Sequence, residues 1–137
     1  MKRGITLIEL LLVIAIIAII GVVTTPLASG FLIRNYLRNT TNEIDSALKT
    51  AQNNSLSGKQ DSQWGVEISA STIKMYALGN SAFNQIYNIP FSISVTQDTI
   101  VFDQLTGNPD ATAEINVSSN ADTNTINVNQ VGAINVN

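Results

Sequence analysis

An uninterrupted apolar run near the N-terminus constrains this chain more than any other feature. The nineteen residues Ile5–Val23 include one charged side chain, Glu9, and one other clearly polar side chain, Thr6. As an α-helix the run would be about 29 Å long, which matches the hydrocarbon thickness of a bilayer. We therefore predict a membrane-spanning helix over residues 5–25. A cleaved secretory signal is the alternative, but residues 24–28 (TTPLA) match a small-x-small cleavage site poorly.

The carboxylate of Glu9 lies inside this apolar run and needs an explanation. At the centre of a membrane a carboxylate costs about 2.5–3.5 kcal/mol, and less towards the helix end. One interpretation is that the side chain extends to the lipid headgroups. Another is that cleavage after Gly4 gives Ile5 a free amine, which is cationic at neutral pH. That amine could pair with Glu9 of a neighbouring helix and set the axial offset between subunits.

The first residues also carry a resemblance to a known family. The segment RGITLIE (residues 3–9), followed by apolar or small residues as far as Val23, resembles the prepilin-type cleavage and methylation signature of type IV pilins and type II secretion pseudopilins. The resemblance implies that a prepilin peptidase cuts between Gly4 and Ile5, that the new amine is methylated, and that Glu9 acts in assembly. The family more often has Phe at the position of Ile5, and it usually has a proline at the position of Pro26.

The helical pattern continues beyond the apolar run. Pro26 lacks an N–H and is expected to kink the helix. Apolar residues then recur on one helical face: Ile33, Leu37, Ile44, Ala47, Leu48 and Ala51. Asp45 and Lys49 are spaced for an i,i+4 ion pair. The dipeptide Ser57-Gly58 is a stop signal, so we expect an amphipathic helix over residues 26–57.

The remaining residues have the pattern of strands and turns. Residues 64–69 and 72–78 predict a hairpin around Ala70-Ser71, and residues 91–95 and 99–102 predict two further strands. Residues 105–109 (LTGNP) predict a turn. Ile-Asn-Val occurs at residues 115–117, 126–128 and 134–136, which predicts strands with Ile and Val facing inward, the last two forming a hairpin around Gly132.

These elements define an α+β fold, with a long N-terminal helix packed on a small antiparallel sheet. The expected organisation is a leader (1–4), a transmembrane half-helix (5–25), an amphipathic half-helix (26–57) and a β-sheet head domain (58–137). Helix followed by antiparallel sheet is also the pilin architecture. The pattern Val101-Phe102, Gly107, Ile126, Val128, Gly132 and Ile134 resembles GspH/FimT-type minor pilins.

The composition excludes several kinds of chemistry. The chain has no cysteine and no histidine, so thiolate metal sites, cysteine nucleophiles and histidine bases are absent. No Lys or Arg follows Lys74, which makes nucleic acid an unlikely partner for the C-terminal half. Asp103, Asn108 and Asp110 flank the predicted turn and suggest either a calcium site or, preferably, a solvated turn.

The predicted function is accordingly structural. We expect no enzymatic activity and no cofactor or metal. Trp64, Tyr76, Phe83 and Tyr87 are expected in the core, with a binding surface as the alternative for the last three. The leading hypothesis is a structural subunit, of the minor class, of a type IV pilus or type II secretion pseudopilus, located in the bacterial plasma membrane before assembly. The partners that the resemblance implies are homologous subunits, the prepilin peptidase, an assembly platform and its ATPase. The alternatives are a tip adhesin that captures DNA or an exported substrate, and a membrane-anchored β-domain that never polymerises.

Overall fold

The computed structural model describes the backbone of residues 6–137 and the side chains of residues 6–21 and 30–137. Over these residues the chain forms one long helix, a 3-10 turn (Lys59–Asp61) and eight strands. The elements are α1 (Leu7–Leu56), β1 (Trp64–Ile68), β2 (Thr72–Ala77), β3 (Asn80–Asn88), β4 (Ser94–Val95), β5 (Asp98–Phe102), β6 (Ala113–Ser118), β7 (Thr123–Val128) and β8 (Ile134–Val136). The chain divides into two compact units, Met1–Leu32 and Ile33–Asn137.

The N-terminal unit contains the first part of α1. Every side chain described between Thr6 and Gly21 is exposed, including Leu7 at 81% and Ile19 at 67%. Within the described residues, no helical stretch has both the length and the apolarity needed to cross a membrane. Gly4, Ile5 and the side chain of Pro26 lie outside the described residues, so the predicted cleavage point and helix kink stay predictions.

The second unit contains two four-stranded antiparallel sheets. Strand order is β3-β2-β1-β5 in the first sheet and β4-β6-β7-β8 in the second. The C-terminal part of α1 contributes to a single hydrophobic cluster with residues from both sheets. The predicted α+β class, with a helix packed on antiparallel strands, is therefore confirmed, and the strands divide between two sheets.

The helical part of this core follows the predicted phase. Leu37, Ile44, Ala47, Leu48 and Ala51 are all buried, and Ile33 is half-buried. Their spacing repeats with the helical period, so one stripe of α1 meets the sheets while the opposite side meets solvent. The helix ends at Leu56, and Gly58 follows with φ 61°, a left-handed conformation that glycine adopts without strain.

Most predicted strands are confirmed, and their neighbours are now defined. The β1–β2 hairpin pairs Trp64 with Ala77 through to Ile68 with Ile73. The three Ile-Asn-Val segments lie side by side as β6, β7 and β8. Their apolar residues are buried in the first two copies, but in β8 Ile134 is half-buried and Val136 is exposed. The third copy keeps the predicted orientation, since Ile134 and Val136 pair with the buried Val128 and Ile126 and Ile134 packs against the core. It is less buried because β8 is an edge strand three residues long.

Two further strand assignments differ from the sequence-based expectation. Of residues 91–95, only Ser94 and Val95 form a strand, because Pro90 starts a turn in which the Ile93 N–H donates to the Pro90 carbonyl at 3.0 Å. Phe91 is fully exposed in that turn. The sequence pattern does not predict strand β3. Its sequence, NSAFNQIYN, mixes amides with apolar residues and lacks the alternation that marks a half-buried strand.

Candidate functional site at the start of the N-terminal helix

Thr6 and Glu9 form a reciprocal set of hydrogen bonds where α1 begins. The Glu9 Oε2 atom accepts from the Thr6 backbone N–H at 3.0 Å and from the Thr6 hydroxyl at 2.9 Å. The Glu9 backbone N–H donates in turn to the Thr6 Oγ1 atom at 3.4 Å. Thr6 immediately precedes the first helical residue, Leu7, so it occupies the N-cap position and Glu9 the third helical position.

This arrangement is a capping box. The first N–H groups of a helix have no partner within it, and a Ser/Thr-x-x-Glu/Gln sequence satisfies two of them reciprocally. A negative charge in the first turn is also favoured by the helix dipole. The two sequence-based interpretations of Glu9, contact with lipid headgroups and pairing with an amine, do not include this local role. The spacing of Thr6 and Glu9 was the signal that would have predicted it.

The capping box leaves part of the carboxylate available. Both hydrogen bonds to the Glu9 side chain use Oε2, and within the described residues Oε1 has no hydrogen-bond partner and Glu9 has no ion pair. The residues around it are the exposed apolar side chains Leu7, Ile8 and Leu10. The site therefore presents one carboxylate oxygen without a hydrogen-bond partner among the described residues, on an otherwise apolar helical surface.

The predicted turn around Gly107 uses its carboxylates for structure. The Asp103 Oδ1 atom accepts from the Gln63 side-chain amide at 2.9 Å, and the Asp110 Oδ1 atom accepts from the Val101 N–H at 3.1 Å. The Asp103 N–H donates to the Asn108 carbonyl at 2.8 Å, which closes the turn. Among the described residues, no group of three or more potential metal ligands comes together, here or elsewhere.

The aromatic residues divide between core and surface. Trp64 is buried, as predicted, and its indole N–H donates to the Lys59 carbonyl at 3.0 Å. Tyr76 is half-buried. Phe83 and Tyr87 on β3 are 36% and 38% exposed, so the expectation of core packing is wrong for them. They lie on an edge strand, which has a neighbour on one side only, and this leaves their rings partly open to solvent.

Comparison with known proteins gives one match, and it covers the N-terminal segment. Residues 1–25 match the family model described as the prokaryotic N-terminal methylation motif. No curated protein and no solved structure shows a significant match to the chain. The match includes Thr6 and Glu9, so the capping box lies inside the matched segment. The chain thus carries a prepilin-type N-terminal methylation motif on an α+β protein.

Proposed function

We propose that this protein is a structural subunit, in the minor class, of a type IV pilus or a type II secretion pseudopilus. The observation that carries the proposal is the methylation motif at residues 1–25, which opens a helix whose described apolar side chains are exposed from Leu7 to Ile20. An apolar surface this large is expected to be covered by lipid or by other helices. The α+β architecture of the second unit is compatible with a pilin head.

The proposed life cycle has two stages. The chain first lies in the bacterial plasma membrane through residues 5–25, and prepilin peptidase removes residues 1–4. An assembly platform and its ATPase then move the subunit into a filament, where its apolar helix packs against those of homologous subunits. Residues 26–57 continue the helix and residues 58–137 form the head. In this scheme the protein acts mechanically and needs no cofactor.

The capping box gives Glu9 a specific part in assembly. Because Thr6 donates both of its hydrogen bonds to Oε2, Oε1 is left to accept a hydrogen bond from a partner. Cleavage after Gly4 leaves Thr6 in the mature chain, so the capping box persists. The new Ile5 amine of a neighbouring subunit is then the proposed donor to Oε1, and a charge pair in an apolar environment is strongly favoured over two separate charges.

The cleavage step can be tested by mass spectrometry of the membrane-associated protein. Coexpression with a prepilin peptidase should yield a chain that begins at Ile5, whereas a Gly4→Leu variant should keep Met1, because a bulky side chain obstructs an extended backbone in the protease cleft. An intact N-terminus in the unmodified chain would favour the non-polymerising membrane anchor instead.

Two contributions of Glu9 can be separated by mutation: the hydrogen bonds that its side chain makes in the capping box, and its negative charge. Glutamine also serves in a capping box, so Glu9→Gln keeps the helix start and removes only the charge. We expect Glu9→Gln to be cleaved normally and to enter filaments about tenfold less or worse, the effect of losing about 1.4 kcal/mol of pairing. Sedimentation of sheared filaments followed by immunoblotting measures this ratio.

Thr6→Ala is the matched control for this experiment. It removes the hydroxyl of the cap, at a cost of about 1 kcal/mol to the helix start, and leaves the Glu9 charge in place. We expect a smaller loss of incorporation than for Glu9→Gln. If Glu9→Gln assembles as well as the unmodified protein while Thr6→Ala does not, Glu9 acts as a cap alone, and the proposed charge pair is wrong.

A further inference from the structure

We propose that the outer edge of β3 binds an extended segment of a different polypeptide, which adds to the first sheet as a fifth strand. A bare strand edge presents a row of unpaired N–H and C=O groups, and an extended chain can satisfy them all by main-chain hydrogen bonds. This edge lies in the second unit, and the segment that it binds is uncharged or basic, with alternating polar and apolar side chains.

The four edge strands differ in length and in whether other groups bind their outward-facing backbone N–H and C=O groups. At the other edge of the first sheet, Asp110 covers β5: its N–H donates to the Val101 carbonyl at 2.9 Å and its Oδ1 accepts from the Val101 N–H at 3.1 Å. In the second sheet the edge strands β4 and β8 have two and three residues. Strand β3 has nine. Within the described residues, it is the one long edge without such cover.

The sequence of β3 also lacks the features that usually protect an edge. Natural edge strands carry Lys, other charges or Pro that discourage pairing. Residues 80–88 contain none of these, and Phe83, Ile86 and Tyr87 are apolar or aromatic and exposed. One protective device is present, a register shift opposite Met75–Ala77. It affects the first half of β3, so the regular stretch Gln85–Asn88 is the docking length.

A groove beside this stretch indicates which side chains the partner should have. Tyr87 pairs with Ile73, which is buried on the face covered by α1, so the Tyr87 ring lies on the helix side of the sheet. Together with Asn39, Asn42, Glu43 and Ser46 it lines a groove of about 270 Å³. Glu43 has no ion pair within the described residues. A basic side chain opposite Tyr87 on the added strand would meet this carboxylate.

A second copy of the chain is a poor occupant for geometric reasons. Two β3 edges pair antiparallel only about a two-fold axis perpendicular to the sheet. The buried stripe of α1 extends from Leu37 to Ala51, about four helical turns, so this part of the helix runs along the sheet face. A two-fold axis perpendicular to the sheet would therefore reverse the direction of the helix in the partner. Subunits inserted in one membrane, or stacked in one filament, must keep their helices parallel. This step rests on the proposed function, whereas the exposure of the edge does not.

The absence of cysteine from the chain allows a clean cross-linking test. The probe is a nine-residue peptide of alternating threonine and valine with a central cysteine and a lysine just before it. Antiparallel pairing of the cysteine with position 86 places the lysine opposite Tyr87. The full-length chain, in detergent micelles, carries Ile86→Cys. Val131→Cys is the control, since Val131 is also exposed and lies in the turn between β7 and β8.

We expect the Ile86→Cys chain to form a disulfide with the peptide in a saturable manner, several-fold above the Val131→Cys chain. A second peptide with glutamate in place of lysine should bind about two- to fivefold more weakly, the range for a partly exposed ion pair. Glu43→Lys should reverse that preference. Trp64 fluorescence confirms that each variant is folded.

Three results would overturn the proposal: equal cross-linking at positions 86 and 131, a charge preference that Glu43→Lys does not alter, or a dominant disulfide between two Ile86→Cys chains, which would make a second copy the occupant. The assay needs no cleavage at Gly4 and no filament. Its failure is therefore distinguishable from failure of the proposed function, which N-terminal mass and incorporation measure separately.

Discussion

Ser55 shows how a single buried hydroxyl connects three parts of the chain. Its Oγ donates to the Phe102 carbonyl at 3.0 Å and accepts from the Trp64 N–H at 2.8 Å. Its own carbonyl accepts from the Leu105 N–H at 2.9 Å. Ser55 is fully buried in the last turn of α1, so no water competes for these bonds. One side chain thereby joins the helix end to β1 and β5.

Replacing this hydroxyl should be costly. Ser55→Ala leaves a buried N–H and a buried carbonyl without a partner, and we expect a loss of about 2–3 kcal/mol in the free energy of unfolding. Urea unfolding followed by the fluorescence of Trp64, the single tryptophan, measures it. Ser57→Ala, which removes an exposed hydroxyl bonded only to Asn54, should cost less than about 0.5 kcal/mol. Equal losses in the two variants would contradict the role assigned to Ser55.

At the scale of elements, α1 holds the sheets through polar side chains as well as its apolar stripe. The Gln52 side-chain amide donates to the Gly107 carbonyl at 3.0 Å and to the Gly132 carbonyl at 2.7 Å. These glycines lie in the turn after β5 and in the turn between β7 and β8. Nearer the start of the unit, the Asn124 amide donates to the Thr41 hydroxyl at 3.1 Å. The helix therefore positions turns from both sheets.

Gln52→Glu tests this contribution with almost no change of shape. A carboxylate cannot donate to two carbonyls and is repelled by them, so we expect a loss of about 2–3 kcal/mol in the free energy of unfolding. Asn53→Asp makes the same amide-to-acid change at the neighbouring exposed position. It controls for the added negative charge near the helix C-terminus, which by itself lowers the free energy of unfolding by about 0.3–1 kcal/mol. Urea titration of both variants is the measurement. A Gln52→Glu loss no larger than the control would refute the bridging role.

At the scale of the whole molecule, the two units differ in what stabilises them. All residues of the hydrophobic cluster lie between Leu37 and Val128, inside the second unit. The described side chains of the first unit, from Thr6 to Gly21, are exposed. The second unit therefore has its own core, whereas the apolar segment depends on surroundings outside the chain. This division suits a subunit whose N-terminal segment moves from lipid to a filament while its head stays folded.

A fragment of residues 33–137 should consequently fold by itself. We expect it to be monomeric in aqueous buffer, with Trp64 buried and a Tm within about 5 °C of the full-length chain in detergent, since no core residue is lost. A shorter fragment, 45–137, lacks Leu37 and Ile44, each of which contributes about 2–5 kcal/mol when buried. Its Tm should fall by more than about 10 °C. Thermal unfolding by circular dichroism compares them; an unfolded 33–137 fragment would show that the first unit is needed.

Local patterns in the sequence were enough to predict much of this architecture. The helical repeat of Leu37, Ile44 and Ala51 predicts the buried face of α1, because side chains three or four residues apart share one side of a helix. The β1–β2 hairpin follows from short-range turn chemistry. The Asp45–Lys49 ion pair, at 2.9 Å, follows from i,i+4 spacing. The Thr6–Glu9 capping box is equally local, because it depends on two residues three positions apart.

By itself, then, the sequence determined the helix and its buried face, most of the strands, and an apolar N-terminal segment with a methylation motif, because each depends on residues close together in the chain. Only the tertiary structure decided that the strands form two sheets and that β3 lies at an uncovered edge. It also decided the distant hydrogen bonds of α1: Ser55 binds Phe102, 47 positions along the chain, and Gln52 binds Gly107, 55 positions along. The spacing of apolar residues, every two in a strand and every 3.6 in a helix, indicates which side of an element is apolar. It does not indicate which element packs against that side, because that depends on how the whole core packs.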